Sequence, residues 1–180
     1  MAERFTIRVS ASTELRGTFY EGKEPRGTLI VSHGLGEHSG VYAPFATQLA
    51  ETHGLVDVVT FDYRGHGLSS GRRGVVRNYM DLIDDLRAVL AWNKTRDAEG
   101  PVYLLGHSNG GQVALHVVLG DDHGIDGLIL SNPSLKITAS VPWYKYSAGL
   151  VLRRLAPRVT LKSTVRDEDL TNDPECLAAR

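Results

Sequence analysis

Cysteine is almost absent from this sequence: Cys176 is the single one in 180 residues. One thiol excludes an internal disulfide and any metal cluster built on cysteine. Long apolar runs are missing too, none approaching the roughly 20 residues of a membrane span. The start, Met1-Ala2-Glu3-Arg4-Phe5-Thr6-Ile7-Arg8, has no apolar h-region and no small-residue cleavage site, so no secretory signal is expected. Charge of one sign is also lacking. The formal net charge is -1 and no basic stripe with interleaved aromatics stands out, so nothing favours nucleic acid as a partner. Arg72 and Arg73 read as a short surface pair. No internal repeat or low-complexity tract occurs, and the His, Asp and Glu residues show no ligand spacing, so neither metal nor cofactor is expected. A globular protein of the cytoplasm is the expectation that remains.

What is present is an ordinary balance, 42% apolar and 23% charged residues, in a chain long enough to bury a core. Phe5 to Val9 and Leu15 to Tyr20 alternate apolar and polar residues, as in an antiparallel hairpin at a sheet edge. Thr28 to Val31, Val56 to Phe61, Val102 to Leu105 and Gly127 to Ser131 are continuous short apolar runs, which predict buried parallel strands. Helical spacing lies between them, at Tyr42 to Ala50, ended by Gly54, and at Gln112 to Leu119. A longer helix is capped by Asn78, with Asp81, Asp84 and Asp85 near its positive end. Leu82, Ile83, Leu86, Val89, Leu90 and Trp92 form its core stripe. This rhythm predicts an α/β fold, a mostly parallel sheet with helices on both faces. After Pro133 the rhythm stops. A boundary near Ala139 separates 1–139 from 140–180, where Trp143, Tyr146, Ser147, Leu150, Val151 and Leu155 mark one more helix before Pro157.

The chemistry centres on Gly106-His107-Ser108-Asn109-Gly110, between a strand and a helix. Strand, tight turn and helix in that order are the context of a nucleophile elbow, with Ser108 held outward on a strained corner. A serine that only caps the helix is the competing reading. Acyl transfer also needs donors aimed at a developing oxyanion. In the elbow arrangement these are the amide after the nucleophile and one from the loop after the third strand, here Asn109 and Leu35. A rival reading takes Gly34-x-Gly36-x-x-x-Gly40 and Asp62 as a dinucleotide fingerprint. Its spacing is one residue off, since Ser39 stands where the third glycine belongs.

Three segments together, His33-Gly34-Leu35-Gly36-Glu37-His38-Ser39-Gly40, Asp62 to Gly71 and Gly106 to Gly111, resemble the monoacylglycerol lipase and lysophospholipase branch of the α/β-hydrolases. Ser131 to Lys136 and Ala156 to Val159 are similar as well. The resemblance implies a serine esterase in which Ser108 attacks an ester carbonyl of a lipid-like substrate and the Leu35 and Asn109 amides hold the oxyanion. It also implies that 140–180 begins a lid or cap that shapes an acyl pocket and transiently meets a membrane or micelle. Asn109 stands where the family often has methionine. His38, His66 and His107 are expected to be structural, as is the Asp62 to Gly71 loop.

The family places its acid and histidine after the serine, on loops following two further strands. Downstream of Ser108 the histidines are His116, about 12 Å further along the helix axis, and His123. Neither is a credible base. Asp126, Asp167, Glu168, Asp169 and Asp173 are acids on the right side of the serine, of a kind that is usually just solvated. The chain is therefore expected to be the first part of a longer hydrolase, cut before the last strands and inactive alone. A non-catalytic module that binds ester-like ligands, and a peptidase or carbon-carbon bond hydrolase on the same scaffold, are the alternatives. Oligomeric state and exact substrate are not legible.

Overall fold

A computed structural model describes residues 1–96, 100–120, 124–136 and 142–156. The chain divides into two units, 1–138 and 139–180. The first holds a six-stranded sheet. In chain order its strands are β1 (Ala2–Ser10), β2 (Thr13–Tyr20), β3 (Thr28–Ser32), β4 (Asp57–Asp62), β5 (Val102–His107) and β6 (Gly127–Ser131). Their spatial order is β1-β2-β4-β3-β5-β6. The hairpin β1–β2 is antiparallel and joins β4 antiparallel, while β4, β3, β5 and β6 run parallel.

The apolar runs are continuous because the central strands are covered twice. Ile30, Val59 and Phe61 enter a core with Leu82, Leu86 and Val89 of helix α2 (Met80–Lys94) and Val113 and Val117 of helix α3 (Asn109–Val118). Leu29, Val31 and Val58 point the other way, against Ala46 and Ala50. Every residue of β3 and β4 is buried. The first strand is covered on one face only, and its Phe5 ring stacks on Trp92 at 3.8 Å.

Three sequence expectations change in detail. The helix from Tyr42 to Ala50 is a composite: a 3-10 turn at Ser39–Tyr42, a short helix α1 (Ala43–Thr47) and a π-turn at Gln48–His53, closed by Gly54 at φ 74°. Asn78 lies one residue outside the N-cap position of α2, where its side-chain oxygen accepts the Met80 N–H at 3.1 Å. The run Gly127 to Ser131 reads both as a buried strand and, as the last apolar run of strand type, as an exposed hydrophobic sheet edge; β6 is the edge, with Ile129 and Leu130 49% and 36% exposed. The reason is position, since β6 pairs with β5 and has no second neighbour among the described residues.

The unit 139–180 contributes helix α4 (Trp143–Leu155). Trp143, Tyr146, Leu150 and Leu155 are exposed on it. Pro157, Cys176, His123, Asp167, Glu168, Asp169 and Asp173 lie outside the described residues.

Candidate active site

Ser108 sits between β5 and α3 with φ 51° and ψ -120°. An L-residue reaches that region only against its own β-carbon, and neighbours must hold it there. Close backbone packing does so. A β-carbon on Gly110 would lie 2.2 Å from the Ser32 carbonyl oxygen, and one on Gly106 would lie 2.6 Å from Gly111 Cα. The glycines of the Gly-x-Ser-x-Gly turn are thus required by contact with β3 and α3. Ser32 donates its hydroxyl to the Gly110 carbonyl at 2.9 Å, and the Tyr63 O–H donates to Ser32 Oγ at 2.7 Å.

The loop after β3 reaches the same point. A β-carbon on Gly34 would stand 3.2 Å from Ser108 Cβ. The next amide is that of Leu35, and neither it nor the Asn109 amide donates to any described residue. Asn109 opens α3, where the first N–H groups have no partner within the helix. Leu35 turns its side chain outward, 70% exposed.

Two side chains fix this loop. Burial pushes the His33 imidazole down to about 4, with smaller opposing help from the Gly34 carbonyl, so the ring is neutral at neutral pH. Its Nδ1–H donates to Gly34 O at 2.8 Å and its Nε2 accepts the Tyr63 N–H at 3.1 Å, which assigns the tautomer. Glu37 Oε2 accepts the Gly34 N–H at 2.9 Å and the Tyr42 O–H at 2.8 Å. Burial, and then the Glu37 hydrogen bond, push the Tyr42 phenol up. Glu37 Oε1 faces His107 Nε2 at 3.7 Å, and His107 Nδ1 meets the Ser131 carbonyl at 3.1 Å.

Residues 23–180 match the family described as "Serine aminopeptidase, S33". The chain belongs to it. The monoglyceride lipase of Homo sapiens is 37% identical over 142 residues, covering 76% of this chain and 45% of that protein. The monoacylglycerol lipase of Mycolicibacterium smegmatis is 30% identical over 156 residues, covering 87% and 55%. Among solved structures, the monoacylglycerol lipase of Paleococcus ferrophilus superposes with a TM-score of 0.73 at 27% identity, covering 91% of this chain and 60% of that one. The chain spans about half the length of the curated lipases it matches. It is an α/β-hydrolase of the monoacylglycerol lipase-like branch.

In this α/β-hydrolase the Asp62 to Gly71 loop is a brace. Asp62 Oδ1 accepts the Ser39 N–H at 2.6 Å, Oδ2 accepts the Leu68 N–H at 2.7 Å, and the Ser69 hydroxyl donates to the Asp62 carbonyl at 2.5 Å. Arg73 donates to the Gly67 carbonyl. His66 Nδ1 contacts Arg64 O at 3.1 Å, and His38 Nδ1 accepts the Gly40 N–H at 3.1 Å. His116 Nδ1 lies 2.8 Å from the Gln112 carbonyl and its ring meets Tyr79, with centroids 5.9 Å apart. Asp126 accepts the Val102 N–H at 2.8 Å, at the end of β5 away from Ser108. No histidine ring hydrogen-bonds to Ser108 Oγ among the described residues; its partner is Ser134 Oγ at 3.3 Å. A groove of about 410 Å³ on the open face of the hairpin, between Arg4, Thr6, Arg16 and Asp62, does not include Ser108.

Sequence reasoning missed Glu37, Ser134 and Asp85. Asp85 is fully buried and accepts both Nε and Nη2 of Arg64, at 2.9 Å and 2.6 Å, with Asp81 3.3 Å from Nη1. The signal was a carboxylate inside an apolar stripe. Ser134 and Glu37 had none, because loop contacts leave no period in a sequence. Among the described residues no group of three or more His, Cys, Asp or Glu could hold a metal ion, and no helix is long and apolar enough to cross a membrane.

Proposed function

We propose that this chain carries the nucleophile and the oxyanion hole of a serine carboxylic-ester hydrolase acting on monoacylglycerol-like or lysophospholipid-like esters. The observation that carries the reading is Ser108 at positive φ, with the Gly34 backbone against it and the Leu35 and Asn109 amides unengaged. Ser108 Oγ attacks the ester carbonyl, and the two amides stabilise the oxyanion, a contribution of about 3 kcal/mol for a single donor. Collapse expels the alcohol and leaves an acyl-Ser108, which water then hydrolyses. A serine hydroxyl needs a base, and that base and its acid are supplied by residues other than the described ones.

The lipases named above support the substrate class, and the exposed Trp143, Tyr146 and Leu150 support transient contact of the 139–180 unit with a lipid surface.

The test is covalent labelling of the full-length protein by a fluorophosphonate, together with turnover of monoacylglycerols and of aminoacyl amides. Labelling abolished by Ser108→Ala, with hydrolysis of the glyceride, is the expected result. Preference for the amide would make the enzyme a peptidase. Ester binding with no labelling would leave a non-catalytic module and defeat the reading.

A further inference from the structure

Among the described residues two that are not glycine have positive φ, Ser108 at 51° and Asn132 at 45°. The elbow explains the first. The second is explained by where the chain goes next. At the end of β6 the Ser131 carbonyl accepts the Ser108 N–H at 3.0 Å. Asn132 then turns the chain back toward the elbow, and Pro133 packs so closely on Gly111 that a β-carbon there would stand 3.0 Å from Pro133 Cβ. Ser134 arrives with its N–H on the Ser108 carbonyl at 3.0 Å and its hydroxyl 3.3 Å from Ser108 Oγ. One loop residue therefore contacts both oxygens of the nucleophile residue. Backbone strain of this kind gathers where surrounding contacts impose it for a function.

We propose that Ser134 is a catalytic hydrogen-bond donor to Ser108 Oγ, acting when that oxygen is the leaving group. This rests on the serine hydrolase reading above. In acylation Oγ gives its proton to the general base and bonds to the ester carbonyl carbon. The alcohol oxygen departs with the electron pair of the broken C–O bond and takes that proton. The free hydroxyl oxygen is already a good hydrogen-bond acceptor and its lone pair is drawn into the new C–O bond, so a donor there gains little in that step. The ester Oγ of the acyl-enzyme, by contrast, is a poor acceptor that becomes a strong one as it leaves. In deacylation water adds to the acyl carbon and gives one proton to the base. The adduct collapses to the carboxylic acid as the bond from acyl carbon to Oγ breaks. Its electron pair remains on Oγ, which is then reprotonated by the base. Charge grows on Oγ during that cleavage, and a hydrogen bond to an anionic oxygen is shorter and stronger than one between neutral groups. The Ser134 hydroxyl keeps its own proton and turns it toward Oγ at that moment. In the resting state either hydroxyl can donate.

Rapid-quench mass spectrometry of the full-length protein with p-nitrophenyl butyrate follows the rise and the decay of acyl-Ser108. For Ser134→Ala the rise is expected to stay within about threefold of the wild type while the decay slows about tenfold, the scale of one charge-assisted hydrogen bond. Ser134→Thr, which restores a hydroxyl, should return the decay to within about threefold. Equal slowing of both phases, or of neither, overturns the proposal and leaves the hydrolase reading standing. A wild type that never acylates at Ser108 overturns both.

Discussion

The Nε2 atom of His33 accepts the backbone N–H of Tyr63 at 3.1 Å, joining the loop after β3 to the loop after β4. Only the neutral ring can accept, and burial holds it neutral down to about pH 4. In the unfolded chain an imidazole protonates near pH 6.5. Below that pH the unfolded state binds a proton that the folded state refuses, so stability falls as pH drops from about 6.5 to about 4. No further loss from this group follows below the folded value. The loss across that window is about 3 kcal/mol. Urea unfolding at pH 7, 5.5 and 4.5 checks it: His33→Gln should flatten the difference, and an equal slope in both proteins would refute the assignment.

Arg64 and Asp85 form a pair whose carboxylate is wholly inside the core, between Leu82, Leu86 and Val89 on the same helix. Removing the cation leaves that charge buried without its partner, a change that costs about 3 kcal/mol or more. Chemical denaturation of Arg64→Ala should show this loss. Arg87→Ala, whose partner Asp84 is exposed, should fall by about 0.5 kcal/mol or less.

Two glycines near the site should differ sharply in what alanine costs them. Gly110 meets the Ser32 and His33 carbonyl oxygens at 2.2 Å and 2.4 Å from an added β-carbon, and both are backbone atoms. Gly36 at φ 79° has open space around it. Gly110→Ala should displace the turn at Ser108 and reduce fluorophosphonate labelling about a hundredfold, the loss that disruption of the proposed oxyanion hole predicts. Gly36→Ala should cost only its strain, about 1 kcal/mol, in a thermal melt.

Leu35 and Asn109 are proposed to act through their backbones. Asn109 Oδ1 receives a long hydrogen bond from Tyr79 at 3.4 Å and does little else. Leu35→Ala and Asn109→Ala should each leave labelling within about threefold, whereas Ser108→Ala abolishes it. A hundredfold loss in either alanine variant would mean that the side chains carry the effect.

Legibility in the sequence followed periodicity. The strands β3 and β4 and the Gly-x-Ser-x-Gly turn stood out because double burial and glycine contact dictate residue type position by position. The π-turn at Gln48–His53 did not, since its apolar spacing differs little from that of an α-helix. Exposure of Ile129 and Leu130 was legible only indirectly: their composition reads as buried, and only the lack of a further apolar strand run marks them as the sheet edge. Asp85 was read as a charge at a helix start, although it lies on the same face as Leu82 and Leu86, and its partner Arg64 is far away in sequence. Glu37 and Ser134 are placed by loops, whose course is set by tertiary contacts alone.

Asp62 holds the Ser39 amide with one oxygen and the Leu68 amide with the other. One carboxylate thus secures both amides, so their protons are expected to exchange with solvent through one shared event, its swing away from both. Native-state exchange should give them one common opening free energy, and Asp62→Asn should release them unequally, because an amide has one accepting oxygen and must choose between the loops.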